Sequence, residues 1–401
     1  MSLTGTVGIE IRINNEAREI TPLLDEFVWT DSLLRGGFTW ALKLKTNYWT
    51  EWWNLMLGRE KPEVRFRLKQ QEQGVESTTE WRRAYTDWSK AKFSAEPTMR
   101  CEVHGADKRL DLMQRSRLRA FKDAKVSDVV ARVAGDHGLT VDAVITKGTR
   151  TRRQLREDDW SFLRRLTRAA ATQDGRGDLF LYMDEGTLRL VSVQSQASSV
   201  RRHDTLSIEN RLNDYVVQYH GRQVDRLGGA TLRGVGFDYG AKAGIVFDVD
   251  AAAASAHQAL SKRVPRRQAD GLRSMPVIED DQAVVEETTR SLWGDLGPRY
   301  FSLRVNTRPD VVLRPNAVIE IVAADDPNRQ SVFQGRYLLL EVVHHYKAGT
   351  LSTTAVGFRR EAWEGEDQPT GAVADNVRTR DRFRGDSAAT QTAVIKVEEL
   401  V

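Results

Sequence analysis

Apolar and polar residues alternate with a period of two in several stretches of the first 115 positions. Val7-Gly8-Ile9-Glu10-Ile11-Arg12-Ile13 is one, Gly37-Phe38-Thr39-Trp40-Ala41-Leu42-Lys43-Leu44 a second, and Val64-Arg65-Phe66-Arg67-Leu68 a third. That alternation marks strands with one buried face. A Gln/Gly/Ser-rich loop is expected at 70–78, with further strands across 81–88 and 93–103. The tract 48–58 breaks the pattern, because Trp49, Trp52, Trp53 and Met56 share one face at helical spacing. Such a stripe could stack nucleic-acid bases, but it is far more often core, and a helix plugging a barrel is predicted.

From about 120 to 200 the period changes. Ser127 is expected to cap a helix running through Val129, Val130 and Val133 and closed by Gly138. A second helix is expected from Asp158 through Trp160, Phe162, Leu163 and Leu166, extended by Ala169-Ala170-Ala171. Leu179-Phe180-Leu181-Tyr182-Met183, the turn Asp184-Glu185-Gly186 and Leu188-Arg189-Leu190-Val191 then read as a β-hairpin. Beyond 205 strands return at 215–219, 301–306, 317–323, 337–346 and 351–358, with helices expected at 251–263 and 281–293. The predicted class is mainly β, of α+β type. Its units are a β-barrel or sandwich at 1–118, a small α/β insert at 119–204, a second unit of similar strand order at 205–360, so that a duplicated barrel is one reading, and an extended tail at 361–401. Residues 392–397 of that tail could form a strand on a partner.

Composition narrows the class without naming a function. Sixty basic and 56 acidic residues leave a net charge of +4, too balanced for a dedicated DNA binder. The cluster Arg150, Arg152, Arg153 and Arg156 reads first as a solvated face, and second as a rim meeting an acidic partner. A single cysteine, Cys101, excludes a disulfide framework and a multi-cysteine metal site, in keeping with folding in a reducing cytoplasm. The first twenty residues do not form a signal peptide, and no stretch has the apolar length of a membrane anchor.

Catalytic chemistry is not evident. The seven histidines are scattered, and His344 and His345, adjacent in a predicted strand, point to opposite faces and cannot share a metal. Asp158 and Asp159 look like a carboxylate pair, but at a helix start both are expected to cap. Gly234-Val235-Gly236-Phe237-Asp238-Tyr239-Gly240 lacks the spacing and following helix of a phosphate loop and is expected to be a turn, while Arg176-Gly177-Asp178 matches an adhesion tripeptide by coincidence. No catalytic, cofactor-binding or metal-binding residue is predicted, and the chain is not expected to be an enzyme.

One segment is more specific. Gln154-Leu155-Arg156-Glu157-Asp158-Asp159-Trp160-Ser161-Phe162-Leu163-Arg164-Arg165-Leu166 resembles the Gln…Glu-Ser-Asp-Trp-x-Phe-Leu-x-Arg-Leu signature of the phage late-control protein D family, with Asp158 in place of Ser. That family comprises baseplate hubs of contractile tails and the front half of type VI secretion spike proteins. Leu313-Arg314-Pro315-Asn316-Ala317-Val318-Ile319-Glu320-Ile321 is similar to its Leu-x-Pro-Gly-x-x-Val-x-Val strand, with Asn316 for Gly. The run from Gly335 and Tyr337 to His344 is similar to its Gly-x-Tyr-x-Val-x-x-Val-x-His strand. The likeness spans about 125–360; the first 115 residues match in strand pattern only.

The resemblance implies two tail-tube-like barrels joined by the insert, and a homotrimeric ring whose six barrels adapt a sixfold tail tube to a threefold spike. Gln154, Asp159, Trp160, Phe162, Leu163, Arg165, Leu166, Gly335, Tyr337 and His344 would be structural residues of this family pattern. Implied partners are the tail tube protein and a separate central spike, with baseplate wedge and tape-measure proteins as further candidates. DNA or cargo would pass through the lumen without sequence-specific binding. The implied location is the baseplate of a virion assembled in bacterial cytoplasm. Two other readings compete. A tail-associated cell-wall hydrolase would have only roughly forty residues left for a lytic fold. A type VI spike component would be expected to continue into an oligosaccharide-binding-like domain and a β-helix.

Overall fold

The computed structural model describes residues 6–13, 16–44, 64–72, 75–87, 92–94, 100–173, 179–192, 206–207, 212–219, 232–238, 240–249, 273–276, 285–286, 288–289, 301–307, 309–311, 313–315, 317–322 and 335–359. The expected helices at 48–58 and 251–263 and the tail at 361–401 lie outside them, as does Arg176-Gly177-Asp178. Of the helix expected at 281–293, residues 285–286 and 288–289 are described and helical.

The first region supplies β1 (Thr6–Ile13), β2 (Glu16–Glu19), β3 (Leu24–Ser32), β4 (Gly37–Leu44), β5 (Val64–Glu72), β6 (Val75–Thr78), β7 (Arg82–Thr86), β8 (Lys92–Ser94) and β9 (Arg100–Ala106). The stretch from 109 to 192 supplies α1 (Arg109–Met113), β10 (Ser116–Ala124), α2 (Val126–Asp136), β11 (Thr140–Ala143), β12 (Arg150–Asp158), α3 (Asp159–Arg168), β13 (Leu179–Asp184) and β14 (Thr187–Ser192). The third region supplies β15 (Leu206–Ser207), β16 (Leu212–Tyr219), β17 (Leu232–Asp238), β18 (Ala243–Val249), β19 (Arg273–Pro276), β20 (Phe301–Thr307), β21 (Val318–Val322), β22 (Gly335–Lys347) and β23 (Thr350–Arg359). The fold is mainly β, as the alternation predicts.

One long antiparallel path runs β16-β20-β23-β22-β3-β4-β9-β7-β5-β1-β2. Its central seam pairs β22 with β3, from Glu341 opposite Ser32 to Lys347 opposite Glu26. Strands from the two ends of the sequence are thereby joined in a single sheet. The period-two pattern puts Phe27, Trp29, Phe38, Trp40, Leu42 and Phe66 inside. Trp29 meets Phe38 with ring centroids 4.6 Å apart, and Trp40 meets Phe66 at 5.0 Å. Each such tilted pair contributes about 1 kcal/mol beyond its buried area. Gly105 of β9 is required by this packing: a Cβ there would sit 2.0 Å from the Tyr85 carbonyl oxygen and 2.4 Å from the Trp40 ring.

The insert has its own core. Val126, Val129, Val130 and Val133 form the buried face of α2 and pack with Phe162, Leu163 and Leu166 of α3 and with Leu181, Met183, Leu188 and Leu190 of the hairpin. The hairpin turn holds Glu185 at φ 50° and Gly186 at φ 89°, the left-handed pair of a type I′ turn. Gly138, at φ 62°, ends α2: its N–H donates to Gly135 O and that of Leu139 to Ala134 O, a Schellman closure.

Several local expectations are corrected. α2 begins before Ser127, which lies inside the first turn; Ser127 N–H donates instead to Thr146 Oγ1 at 3.0 Å. α3 stops at Arg168 with Ala169 as its C-cap, so the alanines do not prolong it. Within the loop expected at 70–78, β5 continues to Glu72 and β6 pairs back from Val75. Of the glycine-rich run expected to be a turn, Gly234 to Asp238 belong to β17, and the turn is confined to its end, where Asp238 Oδ1 accepts the Gly240 N–H at 2.8 Å. Gly234 is tightly approached on that strand, since a Cβ would lie 1.8 Å from Thr289 Oγ1. The basic cluster is only partly solvated: Arg153 and Arg156 are exposed, whereas Arg152 is buried.

Candidate functional site at the insert junction

The segment 154–166 lies on the end of β12 and on α3. Asp158 has extended backbone and caps the helix, its Oδ1 accepting the Ser161 N–H at 2.8 Å and its Oδ2 the Ser161 hydroxyl at 2.7 Å. Asp159 does not cap, contrary to expectation. It is buried and binds side chains from three other elements. Its Oδ1 accepts from Arg119 at 2.6 Å and Gln154 at 2.8 Å, and its Oδ2 lies 2.7 Å from His137 Nε2 and 3.3 Å from Arg117 Nε. Gln154, fully buried, also donates to Glu157 O and accepts from Arg119 Nε at 2.7 Å. A buried carboxylate survives desolvation only with such saturation. The network ties β10, β12, the end of α2 and the start of α3 together.

The apolar residues of the segment face two ways. Phe162, Leu163 and Leu166 are core of the insert, Phe162 stacking on Phe121 at 5.8 Å. Arg165 is exposed, paired with Glu157 and donating to Arg153 O at 3.0 Å. Trp160 reaches out of the insert onto the turn between β3 and β4. A Cβ on Gly36 would lie 2.1 Å from the Trp160 ring, and φ there is +82°. Gly36 O accepts the Met183 N–H of β13 at 2.9 Å. A Cβ on Gly37, at φ +135°, would strike Asp107 Oδ2 at 2.3 Å and Met183 O at 2.8 Å. Two glycines thus let the insert seat against the long sheet.

Asp107 fastens that turn, accepting the Phe38 N–H at 2.7 Å and the Arg109 N–H at 3.0 Å. Burial pushes its carboxyl up to about 6, although the Arg109 guanidinium beside it pulls the other way. Arg109, buried, donates to the carbonyls of Arg35 and of Phe38 and lies over the Trp160 ring.

A charged cluster continues the junction. Arg82 of β7 is 2.6 Å from Asp184 and 3.5 Å from Glu185 of the hairpin, and 3.3 Å from Asp31 of β3. Burial disfavours its charge, but Asp31 and Asp184 outweigh that and hold it protonated. Burial likewise opposes ionisation of Asp184, while Arg82 and Arg189 bring it below the usual carboxylate range. Burial drives the Tyr182 hydroxyl up to about 12. Arg314 is pushed down by burial and by Arg82. His344, on β22, is pulled down to about 3 by burial and by Arg314, and its Nδ1 lies 3.0 Å from Thr353 Oγ1.

The predicted signature residues therefore fall in two places. Gln154, Asp159, Trp160, Phe162, Leu163, Arg165 and Leu166 form the insert and its foot. Gly335, opposite Ile321, and the buried Tyr337, opposite Ile319, lie on β22 with His344. The two places meet through Leu338 and Leu340, which pack with Leu33 and with Phe180 and Tyr182 of β13. Sequence reasoning missed Gly36, Gly37, Arg82, Asp107 and Arg109; the Gly-Gly pair ahead of an alternating strand was the one available signal. Among the described residues, no three His, Cys, Asp or Glu side chains are grouped to hold a metal, and no helix is long and apolar enough to cross a membrane.

Neither a protein-family model nor a curated protein matches the chain. Solved structures do. A 43 kDa tail protein of prophage MuSo2 from Shewanella oneidensis superposes with a TM-score of 0.56 at 12% identity, over 88% of this chain and 97% of that one. A tail protein from Neisseria meningitidis MC58 gives 0.57 at 10% identity, again over 88% and 97%. A chain of a Francisella PdpA–VgrG complex gives 0.54 at 7% identity, over 91% of this chain and 60% of that one. The fold is that of phage tail proteins. At these identities the likeness is one of architecture, and it covers nearly the whole of both tail proteins.

Proposed function

We propose that this chain is the structural hub of a phage or phage-like tail baseplate. It acts as a homotrimer between a sixfold tail tube and a separate threefold spike, with DNA or cargo passing through the ring. The domains are those at 1–118, 119–204 and 205–360, with an appended tail at 361–401. The observation carrying this reading is the near end-to-end match of the fold to two tail proteins. The β22–β3 seam supports it, because it joins strands of the first and third regions edge to edge in one chain. Three such chains offer six similar units to a tube, and closed rotational symmetry of this kind rests on broad interfaces. The junction at Trp160 and Asp107 would hold the insert at a fixed angle on that ring, and no enzymatic role is assigned.

The test is co-assembly. The purified chain is mixed with a tail tube protein from the same source and imaged by negative staining. Rings capping one end of the tubes support the hub. A chain that joins neither tube nor spike, yet clears purified cell wall, is a hydrolase and overturns it.

A further inference from the structure

We infer that the outer face of the β10–β12 ribbon is a docking site for the acidic, Trp-bearing segment of this same protein that follows β23, residues 361–367. The ribbon pairs β10 only with β12 among the described residues, leaving both outer edges open. Its inner face, with Phe121, Arg152 and Gln154, is buried. Its outer face presents Leu118 and Leu155, directly opposite each other and 71% and 67% exposed, the two highest exposures among the large apolar side chains of the described residues. A paired, solvent-facing leucine couple at the centre of an open ribbon is a mark of an unfilled interface.

The charge around that couple defines what fills it. Lys122, Arg153 and Arg156 are exposed beside it, with Arg115 at one end, and none of the four is in an ion pair among the described residues. The nearby carboxylates are occupied or displaced. Glu157 is paired with Arg165, Asp158 caps α3, and Asp123 sits in the bulge at the far end. Like charge disfavours stacking two such ribbons on each other, so the occupant must be acidic with an apolar centre.

The segment Glu361-Ala362-Trp363-Glu364-Gly365-Glu366-Asp367 has four carboxylates, no cation and one tryptophan. No other stretch of seven in the sequence combines these. The chain also leaves β23 on the insert's side: Phe358 pairs with Leu338, which packs with Phe180 and Tyr182 of the hairpin. From Arg359 an extended chain reaches roughly 25 Å by residue 367. Trp363 would cover the leucine pair, and the flanking carboxylates would meet Arg153, Arg156 and Lys122.

Lys122 gives a direct test. The full-length protein is treated with a carbodiimide, which joins amines to carboxylates already in contact, then digested and analysed by mass spectrometry. Lys122 is expected to couple to Glu361, Glu364, Glu366 or Asp367, in the same chain or a second copy. The Leu118→Glu/Leu155→Glu double variant should lower that yield at least tenfold. The Lys43–Glu26 pair, 2.5 Å apart in the long sheet, is the internal control and should couple equally in both proteins. If the double variant loses the control coupling through misfolding, Trp363→Ser replaces it, with the same loss expected. Control coupling with Lys122 unlinked, or linked to a different segment, overturns the assignment. So does coupling that survives the substitutions in a folded protein.

Discussion

At the scale of single residues, two adjacent aspartates show how position alone separates roles. Asp158 and Asp159 are indistinguishable by composition, and both were expected to cap. Asp158→Ala should lower stability by about 1 kcal/mol, the worth of an exposed N-cap. Asp159→Ala removes the buried carboxylate that Arg119, Gln154 and His137 share and should lower it by about 3 kcal/mol. Urea unfolding of both variants checks this, and equal effects would refute the network. Asp107 and His344 make a second pair, coupled through pH. Asp107 is raised from its ordinary 3.8 to about 6, so its contribution is complete below 3.8 and lost as pH climbs through 6. His344 is lowered from 6.5 to about 3, so its contribution is present above 6.5 and lost as pH falls toward 3. Between pH 4 and 6 the two offset. Relative to the wild type, His344→Gln should change the slope of stability against pH by about −1.4 kcal/mol per unit, and Asp107→Asn by about +1.4, in unfolding curves across that window.

At the scale of elements, the junction depends on α3 meeting the β3–β4 turn. Gly36→Ala adds a methyl inside the Trp160 ring at a φ of +82°, two penalties at once. A loss of about 3 kcal/mol is expected, and Trp160→Leu should recover part of it in a double-mutant cycle; strict additivity would show that the two do not touch. This contact was not legible in the sequence, although most elements were. The alternation at 7–13, 37–44 and 64–68 and the capped helix at Asp158 are local signals, and local signals survive into the fold. The extent of α3 was misread because alanine favours helix while Ala170 and Ala171 are buried in the turn that follows. The start of the run at Gly234 was misread because Gly234 answers to Thr289, distant in sequence, and not to a local turn. β10 and β12 went unread as a ribbon, their arginines masking an alternation whose inner members, Arg152 and Gln154, are polar.

At the scale of the whole molecule, resemblance of one helix segment and two strands pointed to a tail hub, and the architecture matches tail proteins across nearly their full length. What sequence could not convey is the seam between β22 and β3, some three hundred residues apart, which makes one sheet of two regions. Pairing at that range follows from the fold of the entire chain, not from any local pattern. The measurement that tests the hub most directly is the native mass of the full-length protein by light scattering across a range of concentrations, with the tube protein present and absent. The account predicts a species of three chains of 45.4 kDa each, alone or on addition of the tube protein. A single 45.4 kDa chain under every condition would contradict it.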